Sequence, residues 1–348
     1  MKTLKWIAAA LLAAACGGEP EEYVVVQPTE ADRTRAREIL AADYTPMPDG
    51  FEFREFEAPG VGPLRWGEIA GEPGAPTLVY VPGFRGYIEL YTEFLAYWAG
   101  RGYRTVIVDL PGQGGSVRRE DDPQKPFTHD FDVYGKALAD FLGHVAERSD
   151  TPITVIGSSF GGATLARAAV NHELPVAEIV LLVPAFDTPI PDTPQWLGKA
   201  LVTLSSDLGK RDDYFPGMGP WSMTWYESPS DSGCNVPPER INLYEAYLVL
   251  HPELRMGGAT YGYATGLWRS GAALQNTSAS IPQPVTLITA TEDRIVLNGR
   301  SIALCSQDGF GTCEHRPIET GHCIVYENED DQQAFFDIVD EVVARSMR

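Results

Sequence analysis

Histidine, cysteine and basic charge are all scarce in this chain. Six histidines and five cysteines are spread over 348 residues, and no two cysteines form a C-x-x-C pair. A structural zinc site is therefore not expected. Lys and Arg total 27 against 48 Asp and Glu, a formal net charge of -21. Such a surplus repels phosphate backbones and anionic lipid surfaces, which argues against a nucleic-acid partner. Past the first twenty residues no segment is apolar enough to span a bilayer. Phosphate loops are missing too. Pro111-Gly-Gln-Gly-Gly115 lacks the Lys-Ser/Thr of a nucleotide-binding loop and the spacing of a dinucleotide fingerprint, so it reads as a turn at a strand end. Neither a metal nor an organic cofactor is expected, and the oligomeric state is not legible.

The N-terminus is not fold. Lys2 and Lys5 precede a short apolar stretch, residues 6–15, that ends Leu12-Ala13-Ala14-Ala15-Cys16. It is too short to span a membrane and reads as a signal peptide over residues 1–15. The run into Cys16 resembles a bacterial lipobox, with Ala13 where leucine is usual. The resemblance implies lipidation of Cys16 and an exported lipoprotein anchored at the periplasmic face or the cell surface. The alternative is an ordinary secretory signal cleaved near Ala15. Export permits disulfides. Cys305 and Cys313 bracket a turn-rich loop and are the first expected pair; Cys234 with Cys323 is the second.

Residues 16–50 read as a tether containing a helix near residues 29–42, where Thr29 and Asp32 form a capping-box pattern. Two alternating strands follow at residues 51–58 and 64–70. Short apolar strands at 77–81, 103–110, 152–156, 177–183, 284–290 and 313–318 then alternate with helices near 88–99, 131–147, 162–171, 299–305 and 331–345. This rhythm predicts a mostly parallel sheet with helices on both faces. It divides the core into residues 51–183 and 284–348. Residues 184–283 break the rhythm and are expected to form a partly helical cap. Most of the cap's aromatics would form its own small core; Trp221 and Trp225 are the ones singled out to face an apolar substrate.

Gly157-Ser158-Ser159-Phe160-Gly161 lies between the strand at 152–156 and the helix that follows. A G-x-S-x-G turn in that setting is a nucleophile elbow, which places the serine Oγ above the C-terminal edge of the sheet. A serine hydroxyl needs a base within hydrogen-bond reach, and that base needs an orienting carboxylate. Downstream, Asp293 follows the strand at 284–290 and His322 follows the last strand, so nucleophile, acid and histidine occur in the order that such folds use. Glu292 is the rival acid. His129, His144, His172, His251 and His315 are rival bases, and each reads better as structural or surface. Two donors are needed for the oxyanion: the N–H of Phe160, after the nucleophile, and that of Phe84, in the loop Pro82-Gly83-Phe84-Arg85-Gly86.

Four segments carry a family resemblance: Asp109-Leu-Pro-Gly-Gln-Gly-Gly-Ser116, Ile156-Gly-Ser-Ser-Phe-Gly-Gly162, His251-Pro-Glu-Leu-Arg-Met-Gly-Gly-Ala-Thr-Tyr-Gly262 and His322-Cys-Ile-Val-Tyr-Glu327. Together they resemble the lysophospholipase and monoacylglycerol lipase branch of the α/β-hydrolases, related to the serine aminopeptidases. Ser158, Phe160, Pro82 and Cys323 replace residues more usual in that branch. The resemblance implies an α/β-hydrolase fold with a helical cap and Ser159, Asp293 and His322 as a catalytic triad. It implies hydrolysis of a small ester or single-chain lipid through an acyl-enzyme. Three alternatives stay open. One is a short-chain carboxylesterase or thioesterase. Another is an aminopeptidase-like enzyme with Glu227 or Glu245 binding the amine. The third is a non-catalytic lipid-binding surface lipoprotein.

Overall fold

Short runs of Val, Ile and Leu become the inner strands of one sheet. A computed structural model describes residues 23–190, 193–228, 234, 236–275, 281–306, 310–326 and 329–348; the signal segment and Cys16 lie outside the described residues. The strands are Glu52–Ala58 (β1), Gly62–Ile69 (β2), Thr77–Val81 (β3), Arg104–Val108 (β4), Ile153–Ser158 (β5), Glu178–Leu182 (β6), Val285–Ala290 (β7) and Cys313–Ile318 (β8). They pair in the order β1-β2-β4-β3-β5-β6-β7-β8. Strand β2 is antiparallel to both β1 and β4, and all other pairs are parallel.

Parallel inner strands survive only with both faces covered, because crossover helices lie on each side. Alternation within the apolar runs does the sorting. Val79, Val81, Val106, Val108, Ile179, Leu181, Val285 and Leu287 face one buried cluster. Leu78, Tyr80, Ile107, Val180, Leu182, Ile288 and Ala290 face the other. The first cluster is closed by helices Phe131–Ala146 and Phe160–Asn171. The second is closed by Thr92–Ala99 and Glu329–Ser346, with Phe94, Trp98, Phe335 and Val339 buried between them and the sheet. The chain thus has the expected α/β-hydrolase core, a mostly parallel sheet between two helical layers.

Between β6 and β7 the chain leaves the sheet. It forms helices Gln195–Ser205, Pro238–Leu250 and Tyr261–Gln275. The helix Pro238–Leu250 does not stand alone. The N-terminal helix Glu30–Asp43 packs on it, with Ala36 fully buried beside Ala246 and Val249 and with Ile39 and Leu40 against the same cluster. Thr29 caps the N-terminal helix and Asp32 completes the capping box. The stretch read as a tether is therefore, over Glu30–Asp43, part of the cap's packing. Both expected disulfides are present. Cys305–Cys313 closes the loop between the helix Gly299–Ser306 and β8, and Cys234–Cys323 ties the cap to the loop after β8.

Candidate active site

The turn after β5 is built by what its glycines omit. A Cβ at Gly157 would stand 2.7 Å from the Gly161 carbonyl oxygen, and one at Gly161 would overlap the Val81 carbonyl. Only glycine lets strand, turn and helix approach this closely. Ser159 takes the remaining strain, at φ 51 and ψ -114. A non-glycine residue held there costs on the order of 1–3 kcal/mol, so the surroundings must enforce it. They do so through backbone bonds: Ser159 N–H donates to the Leu182 carbonyl (2.9 Å), while the Ser159 carbonyl accepts from Ala163 (3.0 Å) and Ala185 (2.9 Å).

His322 Nε2 lies 3.0 Å from Ser159 Oγ, and His322 Nδ1 lies 2.7 Å from Asp293 Oδ2. The Asp293 side chain is fully buried, and its Oδ1 accepts the N–H groups of Ile295 (2.8 Å) and Val296 (2.9 Å). Those bonds aim Oδ2 at the imidazole. With Nδ1–H donated to a carboxylate, the Nε2 lone pair is left to accept the serine proton. The acid beside His322 is Asp293, not Glu292. The other histidines engage elsewhere: His315 with Thr289, His251 with Glu253 and the Tyr247 ring, His144 with Phe56 and Trp66.

The loop after β3 reaches Ser159. A Cβ at Gly83 would stand 3.3 Å from Ser159 Cβ and 3.9 Å from its Oγ, so the loop that carries Phe84 passes directly beside the serine. The Phe160 amide opens the next helix, where the first N–H groups have no intrahelical acceptor. Two polar side chains just after β4 clamp this loop. Gln113, 1% exposed, accepts Arg85 N–H at Oε1 (2.7 Å) and donates from Nε2 to the Gly83 carbonyl (3.0 Å). Asp109, fully buried, accepts from Ile88 N–H (3.0 Å), Gly115 N–H (2.8 Å) and Arg65 Nε (2.7 Å). Burial pushes its carboxyl up to about 6 against the pull of Arg65. The available signal was a polar pair, Asp109 and Gln113, just after a strand too apolar to need either.

A cavity of about 660 Å³ opens over the serine. Its floor includes Gly83, Phe84, Ser159 and His322, and the cap supplies Trp221, Tyr226, Tyr244 and Glu245. Trp221 is where it was expected; its indole donates to Glu245 (3.3 Å) and the Arg255 guanidinium sits 4.1 Å from its ring centroid. Trp225 is not, and that expectation is corrected. Its indole donates to Asp32 (2.9 Å) and Arg35 stacks on its ring, so it fastens the N-terminal helix to the cap, away from the cavity. Glu245 lines the cavity and Glu227 does not. Cys323 adjoins His322, and its disulfide partner Cys234 also lines the cavity. Among the described residues no cluster of three or more His, Cys, Asp or Glu side chains is placed to hold a metal, and no helix is long and apolar enough to cross a membrane.

Residues 73–328 match the Hydrolase_4 family, described as serine aminopeptidase, S33. Lysophospholipase L2 of Escherichia coli strain K12 is 25% identical over 301 residues, covering 84% of this chain and 85% of that protein. A soluble variant of monoglyceride lipase from Saccharomyces cerevisiae, solved with a substrate analog, superposes with a TM-score of 0.65 at 14% identity, over 88% of this chain and 97% of that one. The monoacylglycerol lipase of Paleococcus ferrophilus superposes with a TM-score of 0.57 at 16% identity, over 81% and 99%. At these identities the two structures speak to the fold alone.

Proposed function

The chain belongs to the serine aminopeptidase S33 family of α/β-hydrolases, and from that membership we propose a serine hydrolase of carboxylic esters. Its best-supported substrates are single-chain lipids, lysophospholipids or monoacylglycerols. The observation that carries the reading is the unbroken hydrogen-bonded line from Ser159 through His322 to Asp293, at the base of a cavity walled by aromatic side chains.

In this mechanism Ser159 Oγ attacks the ester carbonyl carbon while His322 Nε2 takes its proton. Asp293 stabilises the imidazolium. The carbonyl oxygen, now an oxyanion, accepts from the Phe84 and Phe160 amides, whose fixed positions need no reorganisation as charge develops. His322 then gives the proton to the departing alcohol, leaving an acyl group on Ser159. A water molecule loses a proton to His322, attacks the acyl carbon and releases the acid. A one-chain lipid suits the cavity: it can enter alone, and its chain meets Trp221, Tyr226 and Tyr244. We also propose that Cys16 carries the lipid that anchors the exported protein to a membrane, which would bring it near such substrates.

The test is hydrolysis of a chain-length series of p-nitrophenyl esters, with monoacylglycerol and lysophosphatidylcholine, by residues 17–348 and by Ser159→Ala. The variant should lose on the order of 10⁶ in kcat. A wild-type protein inert on every ester would overturn the proposal. Because Glu245 faces the cavity, an aminopeptidase-like activity is the second reading, and aminoacyl p-nitroanilides in the same series test it.

A further inference from the structure

The proposed hydrolysis leaves one cation of the cavity without a task. Arg85 follows Phe84 in the loop beside the serine and lines the cavity. Its backbone stands at φ 64, a left-handed conformation that favours glycine and that side chains rarely adopt. Gln113 grips its N–H at 2.7 Å, so the side chain starts from a fixed point. Its Nε is buried and has no hydrogen-bond partner among the described residues.

The other arginines near the cavity are committed. Arg240 donates to Glu93 (2.6 Å) and to the Tyr326 carbonyl (2.8 Å). Arg255 donates to the Leu248 and Val249 carbonyls and lies on the Trp221 ring. Around Arg85 stand Tyr244, whose side chain hydrogen-bonds the guanidinium and whose ring centroid lies 5.9 Å from the guanidinium carbon, and the carboxyl of Glu245; the Nε edge is the part left without a partner among the described residues. Burial pushes Glu245 up to about 7, against the pull of Arg85 and the Trp221 indole, so near neutral pH it is only partly ionised. A chain with a net charge of -21 therefore presents an under-neutralised guanidinium inside the cavity that holds the nucleophile.

A guanidinium has a planar fork of donors that matches carboxylate and phosphate oxygens, and such bonds strengthen where water is excluded. We propose that Arg85 is a specificity-determining residue that binds an anionic group of the ester substrate, a phosphodiester or a carboxylate. The enzyme then favours single-chain lipids with an anionic headgroup over neutral monoacylglycerols. This rests on the ester-hydrolase reading and narrows it.

The test compares three esters of one fatty acid: lysophosphatidylglycerol, monoacylglycerol and the O-acyl ester of glycolate. Wild type, Arg85→Gln and Arg85→Lys are assayed on each. The ratio of kcat/KM on the anionic ester to that on monoacylglycerol should fall about tenfold or more in Arg85→Gln, mainly through KM, and recover in part in Arg85→Lys. The anionic ester that loses more identifies phosphate or carboxylate as the group read. An unchanged ratio, or equal losses on charged and neutral esters, overturns the proposal. A second measurement separates it from the ester-hydrolase reading. The melting temperature of Ser159→Ala should rise with dodecyl phosphate and not with dodecanol, and the rise should vanish when Arg85→Gln is added. If no ester is cleaved by wild type but this difference holds, the hydrolase reading falls and the anion site stands. If esters are cleaved but neither the ratio nor the shift depends on Arg85, the anion site falls alone.

Discussion

Replacing Gln113 with leucine should slow catalysis although Gln113 touches neither nucleophile nor substrate. Its side chain makes two bonds to the loop that carries the Phe84 amide, at 2.7 Å to Arg85 N–H and 3.0 Å to the Gly83 carbonyl. Leucine has similar volume and makes neither. The Gly83 carbonyl keeps Gly86 N–H at 3.1 Å, whereas Arg85 N–H has no second acceptor among the described residues. One buried donor left unpaired costs about 1–3 kcal/mol, so the loop relieves itself by shifting. A shift carries the Phe84 amide off the position of the oxyanion. Complete loss of an oxyanion donor costs about 10²–10³ in kcat. A displaced donor should cost part of that, about 10- to 100-fold in kcat with KM little changed, since the amide meets its charge only in the transition state. Gln113→Glu should fall in the same direction: its carboxylate accepts Arg85 N–H but opposes the Gly83 carbonyl. Steady-state kinetics on p-nitrophenyl butyrate, with melting temperatures in parallel, decide the matter. A melting temperature that drops by several degrees while kcat changes less than about threefold would refute the positioning argument, leaving Gln113 a stability residue only.

Asp293→Asn should keep the two backbone bonds from Ile295 and Val296 yet present an amide to His322 Nδ1, selecting the wrong tautomer; kcat should fall by about 10⁴ with the fold intact by circular dichroism. Trp225→Ala should leave kcat/KM on short esters nearly unchanged but loosen the N-terminal helix through loss of the bond to Asp32; faster proteolysis within residues 30–43 would register it, and an altered substrate preference would contradict it. Glu245 holds its proton more tightly folded than unfolded, because burial pushes it up to about 7. Its contribution to stability is therefore fully present below the ordinary carboxyl value and declines as pH rises through about 7. Melting curves from pH 4.5 to 8 should show wild type losing stability relative to Glu245→Gln across that window; parallel curves would refute the assignment.

The core was legible from local pattern. Val79 and Val81 alternate with Leu78 and Tyr80 on a strand with no polar face, which only a sheet covered on both sides satisfies. The site was legible for a related reason. Ser159 sits in an elbow whose glycines are needed by the turn itself, and Asp293 and His322 occupy strand ends that a parallel sheet gathers at one edge. The aromatics of the cap gave no such signal. Trp221 and Trp225 are four positions apart and chemically alike, but one lines the cavity and the other bonds Asp32, 193 positions away.

From sequence alone came the mostly parallel sheet between helical layers and the meeting of Ser159, Asp293 and His322 at its edge, because each depends on a short periodicity or on a turn with its own steric demand. Tertiary structure alone decided that Gln113 and Asp109 clamp the loop that carries Phe84, that Glu30–Asp43 packs into the cap, and that Arg85 and Glu245 share the cavity. Those contacts join segments that lie far apart along the chain. Which of them meet depends on the paths of the connecting loops and on which buried polar groups find partners, and neither is written in a local pattern.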